Sequence, residues 1–163
     1  SRGLGDVYKR QILEKCQRKN VPMEELEEKI EDIAGIRIIC QFVEDIEKVV
    51  EIIRKRSDVI IKKEKDYITN SKESGYRSYH VILKCPFSEA PDGVLRVEIQ
   101  LRTIAMDCWA SLEHEMRYKK GITNTTLIEK ELKRCAGEMA STDLSMQTLR
   151  DIIRQYQTGY ALV

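Results

Sequence analysis

Two short stretches of this chain carry the side chains best suited to chemistry. Gly75-Tyr76-Arg77-Ser78-Tyr79-His80 offers an aromatic ring, a guanidinium and an imidazole directly after a glycine. Further along, Val97-Glu98-Ile99-Gln100-Leu101-Arg102-Thr103 lies in a segment that alternates cleanly. Leu95, Val97, Ile99 and Leu101 fall on one side, and Arg96, Glu98, Gln100 and Arg102 on the other, as a strand requires. The apolar side can anchor such a strand while the opposite side holds a carboxylate rigidly. Rings, fixed positive charge and one positioned carboxylate are the groups needed to bind a purine nucleotide and deprotonate its hydroxyl.

Each of these residues also has a plain structural reading. Asp32 stands before the Ile33-Ala34-Gly35-Ile36-Arg37 junction, where it can join Glu98 in holding Mg²⁺, an ion that takes one or two carboxylates plus phosphate oxygens. It can equally be an exposed acid at a helix end, slightly disfavoured by the dipole. Glu98 is either that ligand and base or one polar tooth on the wet face of a sheet. Arg37 interrupts an apolar strand; burial without an anionic partner would be costly, so it pairs with Asp32 or Glu98 or meets a phosphate. Tyr76 either stacks on a base or folds over a sheet edge. Tyr79 and His80 alternate, so one faces the core and the other a cleft, where His80 and Arg77 could contact phosphate. His114 shares a helix face with Asp107 and Ser111, which reads as a polar side rather than a metal site.

The elements that must position these groups follow from periodicity. Ile12 to Lys19 predicts a short basic helix. Pro22 suits the first turn of a second helix, with Leu26, Ile30 and Ile33 at helical spacing and Gly35 at its end. Ile36 to Phe42 is apolar on both faces apart from Arg37 and Gln41, which predicts a central strand. Ile46, Val49, Val50 and Ile53 mark an amphipathic helix reaching about Arg56. Val59 to Ile68 and Tyr79 to Cys85 predict strands, and Ala90-Pro91-Asp92-Gly93 turns the latter back into Val94 to Arg102 as a hairpin. Thr103 is placed to cap a helix burying Ala105, Trp109, Leu112 and Met116. Two further helices are expected, one carrying Ile128, Leu132, Cys135 and Met139, the other Leu144, Leu149, Ile152, Ile153 and Tyr156. The order predicts an α+β fold, a mixed sheet of about four to five strands flanked by helices, ending in two C-terminal helices.

Bulk composition bounds the rest. With 28 basic and 27 acidic side chains, the chain of 163 residues has no global field drawing it to DNA or membrane. From Arg54 to Arg77, however, eight Lys or Arg face four Asp or Glu. The five cysteines are scattered, without a C-x-x-C pair, and mostly at apolar positions. They read as buried, reduced thiols of a cytoplasmic protein. No apolar run reaches the length of a membrane span, and two histidines cannot build a histidine-rich hydrolase centre. Residues 1–11 lack apolar periodicity and read as a truncation or a scar of assembly. Residues 121–163 read as a helical extension.

Five strings, in this order, resemble the RelA/SpoT-type alarmone synthetases, specifically the small single-domain class. They are Asp32-Ile33-Ala34-Gly35-Ile36-Arg37, Lys65-Asp66-Tyr67-Ile68, Gly75-Tyr76-Arg77-Ser78-Tyr79-His80, Val97-Glu98-Ile99-Gln100-Leu101-Arg102-Thr103 and Trp109-Ala110-Ser111-Leu112-Glu113-His114. The resemblance implies a nucleotidyltransferase-like synthetase domain over residues 12 to 120. It further implies stringent-response chemistry: pyrophosphate transfer from ATP to the 3′-hydroxyl of GDP or GTP, giving (p)ppGpp and AMP. By that resemblance Asp32 and Glu98 would hold Mg²⁺, with Glu98 also the base for the 3′-hydroxyl. Tyr76 would stack on guanine. Lys72, Arg77 and His80 would engage acceptor phosphates, Arg37 and Lys65 would line the phosphate channel, and Gln100, Asp107 and Glu113 would shape the guanosine pocket.

One departure from the family pattern concerns the donor. Family members carry an Arg-x-Lys motif before the helix that begins here near Ile12, and this chain has Gly5 and Val7 at those places. ATP binding then falls to Lys15, Arg18, Lys19, Arg37 and Lys65, and the activity of this chain depends on whether they suffice. No hydrolase domain or regulatory tail is expected within 163 residues, and assembly into a dimer or tetramer through the terminal helices is. Two other readings stay open: a relative that pyrophosphorylates the 3′ end of tRNA, and a degenerate guanine-nucleotide or RNA-binding module.

Overall fold

The computed structural model describes residues 34–88, 93–117 and 125–159. Strand β1 (Ala34–Cys40) leads through helix α1 (Val43–Arg54) to β2 (Ile60–Asp66). Strands β3 (Tyr79–Pro86) and β4 (Val94–Thr103) follow, then helices α2 (Ile104–Arg117) and α3 (Thr125–Gly159). The expected helices before Gly35, and with them Lys15, Arg18, Lys19 and Asp32, lie outside the described residues. The strands form one mixed four-stranded sheet in the order β1-β4-β3-β2.

The β3–β4 hairpin forms as its alternation requires, closed by the Phe87 N–H donating to the Gly93 carbonyl at 2.9 Å. Gly93 adopts φ +69° in that turn, a conformation that costs glycine nothing. Both strands are central and covered on both faces. Val81, Ile82 and Leu83 are consecutive buried residues, and on β4 Arg96 and Val97 are both buried. The polar side of β4 is therefore not the wet face that alternation alone implied.

Strand β1 corrects another expectation, because it lies at an edge of the sheet rather than in its middle. Ile36 and Ile39 remain exposed there. Its continuous apolar run resembled a strand buried on both faces, and sequence cannot distinguish that from an apolar edge.

The described chain divides into two compact units, each holding part of the sheet. In one, Ile53–Lys65 and His80–Gln100 supply the buried Ile53, Val81, Ile82, Leu83 and Val97. The other comprises Ile38–Ile52, Asp66–Tyr79 and the chain from Leu101 onward. Its core gathers Trp109, Ala110, Leu132 and Ala136, with Tyr76, Ile128, Cys135 and Met139 packed against them.

Thr103 caps α2 as expected: the Met106 N–H donates to its Oγ1 at 3.1 Å. The buried stripe of α2 is rotated from the predicted one. Met106, Trp109 and Ala110 are buried, whereas Leu112 and Met116 are exposed. Burial is decided by where α3 crosses, and the Trp109 indole N–H donating to the Leu132 carbonyl at 2.8 Å fixes that crossing.

The two expected C-terminal helices are one continuous helix. Ala140-Ser141-Thr142-Asp143 contains hydroxyls and a carboxylate that could have capped a new start. Instead Thr142 and Ser145 donate back to the carbonyls of Glu138 and Ser141, each at 3.0 Å, and the Asp143 carboxylate is engaged by Thr103. With no proline there, nothing breaks the ladder. The helix is long but polar, and no helix among the described residues is long and apolar enough to cross a membrane.

Cys40 is buried, but Cys85 and Cys135 are half-buried and Cys108 is exposed. The expectation of generally buried thiols therefore holds for Cys40 alone among the described cysteines. All four are free.

Candidate functional site

Two polar clusters hold most of the described residues singled out by sequence, one within each unit. The first is built on neighbouring strands of the hairpin. Glu98 on β4 accepts from Gln100 Nε2 at 3.2 Å through Oε2, while its Oε1 lies 2.9 Å from His80 Nδ1 on β3. Both side chains of the Glu98–His80 pair are largely withdrawn from water, at 15% and 9% exposed.

The hydrogen bond with His80 is the main influence drawing the Glu98 carboxyl down to about 2, against the opposing effect of burial. Gln100 and the positive charge of half-buried Lys65 on β2 act in the same direction. Glu98 is consequently ionised across any working pH. That makes it a constant ligand for a cation and gives it low basicity.

His80 thus sits against Glu98 rather than facing a cleft alone. Its partner is cross-strand, which is a pairing that alternation along a single strand cannot reveal.

The second cluster surrounds Tyr76, in the loop before β3. The loop is closed by the Gly75 N–H donating to Lys72 O at 2.8 Å and the Lys72 N–H donating to Tyr76 O at 3.1 Å. Gly75 adopts φ +93°, and a Cβ there would lie 2.6 Å from that of Ala136. Only glycine lets the loop approach α3 so closely.

The Tyr76 ring is half-buried. It meets Tyr67 edge-on at 6.1 Å and Trp109 at a tilt at 6.5 Å between centroids. Lys72 Nζ lies 4.7 Å from the Tyr67 ring centroid and 5.0 Å from that of Tyr76. Cations over ring faces in this way are attracted by the ring quadrupole. Tyr76 is therefore neither free in solvent nor lost in the interior.

Arg102, to which sequence assigned no role, stands behind that ring. It donates from Nη2 to the Tyr76 hydroxyl at 2.8 Å and from Nη1 to Asp107 Oδ1 at 3.0 Å. Its alternation with Gln100 placed it on the polar side of β4; its partners lie on other elements and left no local signal.

The remaining expected residues are more scattered. Arg77 is half-buried and lines a narrow cleft with Trp109, Met139 and Asp143. Glu113 is half-buried on α2, and His114 is exposed. Arg37 is exposed on edge strand β1, so the cost of a buried guanidinium does not arise. The basic loop after β2 is held by Asp66, whose Oδ1 accepts from the Ile68 and Thr69 N–H groups at 2.8 and 2.9 Å.

Among the described residues no group of three or more His, Cys, Asp or Glu could hold a metal ion by itself. Mg²⁺ keeps water and substrate oxygens and needs only one or two carboxylates. Glu98 meets that need as a permanently charged, fixed carboxylate.

Comparison with known proteins gives the family. Residues 8–123 match the family described as a region found in RelA / SpoT proteins. The chain is 38% identical to the GTP pyrophosphokinase YjbM of Bacillus subtilis over 151 residues, covering 92% of this chain and 71% of that protein. It is 44% identical to the B. subtilis GTP pyrophosphokinase YwaC over 128 residues, 77% of this chain and 61% of that protein. Among solved structures, the B. subtilis small alarmone synthetase 1 bound to its product pppGpp superposes with a TM-score of 0.75 at 41% identity. That match covers 88% of this chain and 73% of the other. By sequence and by fold alike, this chain belongs to the RelA/SpoT family.

Proposed function

We propose that this chain is a GTP/GDP pyrophosphokinase, moving the pyrophosphate of ATP to the 3′-hydroxyl of GDP or GTP to give (p)ppGpp and AMP. The observation that carries the reading is Glu98: a carboxylate kept ionised and fixed between His80 and Gln100, within a chain of this family. Such chemistry depends on positioning and charge neutralisation more than on covalent catalysis.

The residue roles follow from the chemistry of each cluster. Tyr76 offers a ring for guanine, with Asp107 and Glu113 shaping that pocket. Lys72 and Arg77 supply positive charge for the acceptor phosphates, and His80 and Gln100 fix Glu98, whose constant charge suits it to orienting the 3′-hydroxyl and a cation more than to taking up a proton. Arg37 and Lys65, together with Lys15, Arg18 and Lys19, take the ATP phosphates. Glu98, with Asp32, would hold Mg²⁺, which supplies charge neutralisation on phosphate oxygens when bound.

Assembly is part of the same reading. The distal half of α3 exposes Met146, Leu149, Ile153 and Tyr156, spaced three, four and three residues apart as in a helix–helix seam. This supports a homo-oligomer formed through α3, and light scattering after size-exclusion chromatography measures it.

Incubating the chain with ATP labelled in its β-phosphate, together with GDP, GTP or tRNA, tests the reaction. Label at the 3′ position of guanosine with release of AMP is expected. Label on tRNA would move the chain to another acceptor class. No transfer, even with the family's Arg-x-Lys restored at positions 5 and 7, would reduce it to a nucleotide-binding module.

A further inference from the structure

One buried charge has no part in the roles assigned above. Arg102 is only 5% exposed at the end of β4, where an apolar residue of similar volume would serve stability at least as well. Its donors are spent in a specific way. Nη1 reaches Asp107 Oδ1 at 3.0 Å, Nη2 reaches the Tyr76 hydroxyl at 2.8 Å, and Nε lies 3.4 Å from Ser78 Oγ. Ser78, fully buried, donates its own hydroxyl hydrogen to the Leu101 carbonyl at 3.2 Å. A lone pair of Ser78 Oγ is thereby left for the guanidinium.

The Tyr76 ring is thus held at both ends. Its backbone is pinned by the closed loop and by the approach of Gly75 to Ala136, and its hydroxyl by Arg102. We propose that Arg102 is a positioning residue for the acceptor nucleotide. On one planar fork it holds the Tyr76 phenol and the Asp107 carboxylate, and so presents ring and acid as a single preformed face to a purine base. Lysine cannot replace it, because a point charge lacks the fork that engages two partners at fixed angles. Restraining the ring before binding removes the cost of immobilising it on stacking. This inference rests on the pyrophosphokinase reading for the identity of its ligand.

Tyr76→Phe keeps the ring and deletes the group that Arg102 holds; Arg102→Lys keeps the charge and loses the fork. Four measurements decide: KM for GDP, KM for ATP, kcat, and GDP affinity by calorimetry without ATP. Each variant is expected to raise KM for GDP about three- to tenfold, the range of one immobilised side chain, with KM for ATP and kcat unchanged. The double variant should be no weaker than Arg102→Lys alone, since the one bond that Tyr76→Phe deletes is already lost with the fork. Tyr76 ring resonances in the nucleotide-free protein should broaden or average in Arg102→Lys.

Equal GDP affinity in wild type and Tyr76→Phe overturns the proposal, even where Arg102→Lys fails to fold. So do effects that multiply in the double variant, or KM values for ATP and GDP that rise together. A wild type that binds GDP but transfers nothing defeats the pyrophosphokinase reading alone, because calorimetry on Tyr76→Phe still decides the clamp.

Discussion

Thr103 Oγ1 donates to Asp143 Oδ2 at 2.7 Å while accepting the Met106 N–H at 3.1 Å. One hydroxyl therefore caps α2 and satisfies a buried acid on α3. Thr103→Ala removes both functions. Loss of the cap costs about 0.5–2 kcal/mol, and an unsatisfied buried acceptor about 1–3 kcal/mol. A total of about 2–4 kcal/mol is expected in urea denaturation, with Thr103→Ser losing about 1 kcal/mol or less because it keeps the hydroxyl. Equal losses in both variants would show that packing of the methyl, not the hydroxyl, matters there.

Burial pushes the Asp143 carboxyl above its ordinary value, opposed by the Thr103 hydrogen bond and the nearby charge of Arg77. A folded state that holds this proton more tightly than the unfolded chain gains stability as pH falls through the raised value. Above that value the ionised group is a constant cost. Asp143→Asn keeps an acceptor for Thr103 and deletes the titration. Relative to wild type, the asparagine variant should therefore be most favourable near pH 7 and lose ground as pH drops towards 4. Parallel stability curves from pH 7 to 4 would contradict this.

Gly75 is required twice over, by its φ of +93° and by the 2.6 Å approach of any Cβ to that of Ala136. Gly75→Ala should destabilise by about 2 kcal/mol or more, since the left-handed conformation alone costs about 1–2 kcal/mol and overlap adds to it. Adding Ala136→Gly relieves the overlap but not the backbone strain. Although that change alone costs about 1 kcal/mol in a helix, the double variant should be less destabilised than the sum of the singles. Strict additivity in thermal melts would mean that the two residues do not meet.

What was legible in the sequence was whatever depends on local period. The β3–β4 hairpin, the amphipathic α1 and the Thr103 cap each follow from residues within a few positions of one another. The misreadings have a common cause in tertiary pairing. Arg102 finds Tyr76 26 residues away and Thr103 finds Asp143 40 residues away, so neither partner can be inferred from alternation. The break expected between Met139 and Leu144 is absent because the groups that could cap a new helix there, the Thr142 hydroxyl and the Asp143 carboxylate, are used elsewhere. Strand β1 read as central because an apolar run records hydrophobicity and not what lies beside it. In the candidate site, residue types were legible in motif order, whereas the His80–Glu98 pairing needed the cross-strand neighbour.

Glu98→Gln separates the charge of this residue from its hydrogen bonds. The amide has the same shape, and both of its neighbours can adapt to it. Gln100 can turn its amide over, and the His80 ring can present either a donor or an acceptor at Nδ1. The fold and the loop around Tyr76 should therefore survive, and only the fixed negative charge is lost. Removal of one preorganised charged group at a reacting centre typically costs about 10²–10³ in turnover, so alarmone synthesis should fall at least that far. GDP affinity, which the proposal assigns mainly to Tyr76 and its surroundings, should change by less than about threefold. Glu98→Asp keeps the charge but withdraws it from His80, and an intermediate rate is expected. Should Glu98→Gln instead weaken GDP binding while single-turnover transfer runs at the wild-type rate, Glu98 would belong to the acceptor pocket and the reacting centre would have to be sought elsewhere.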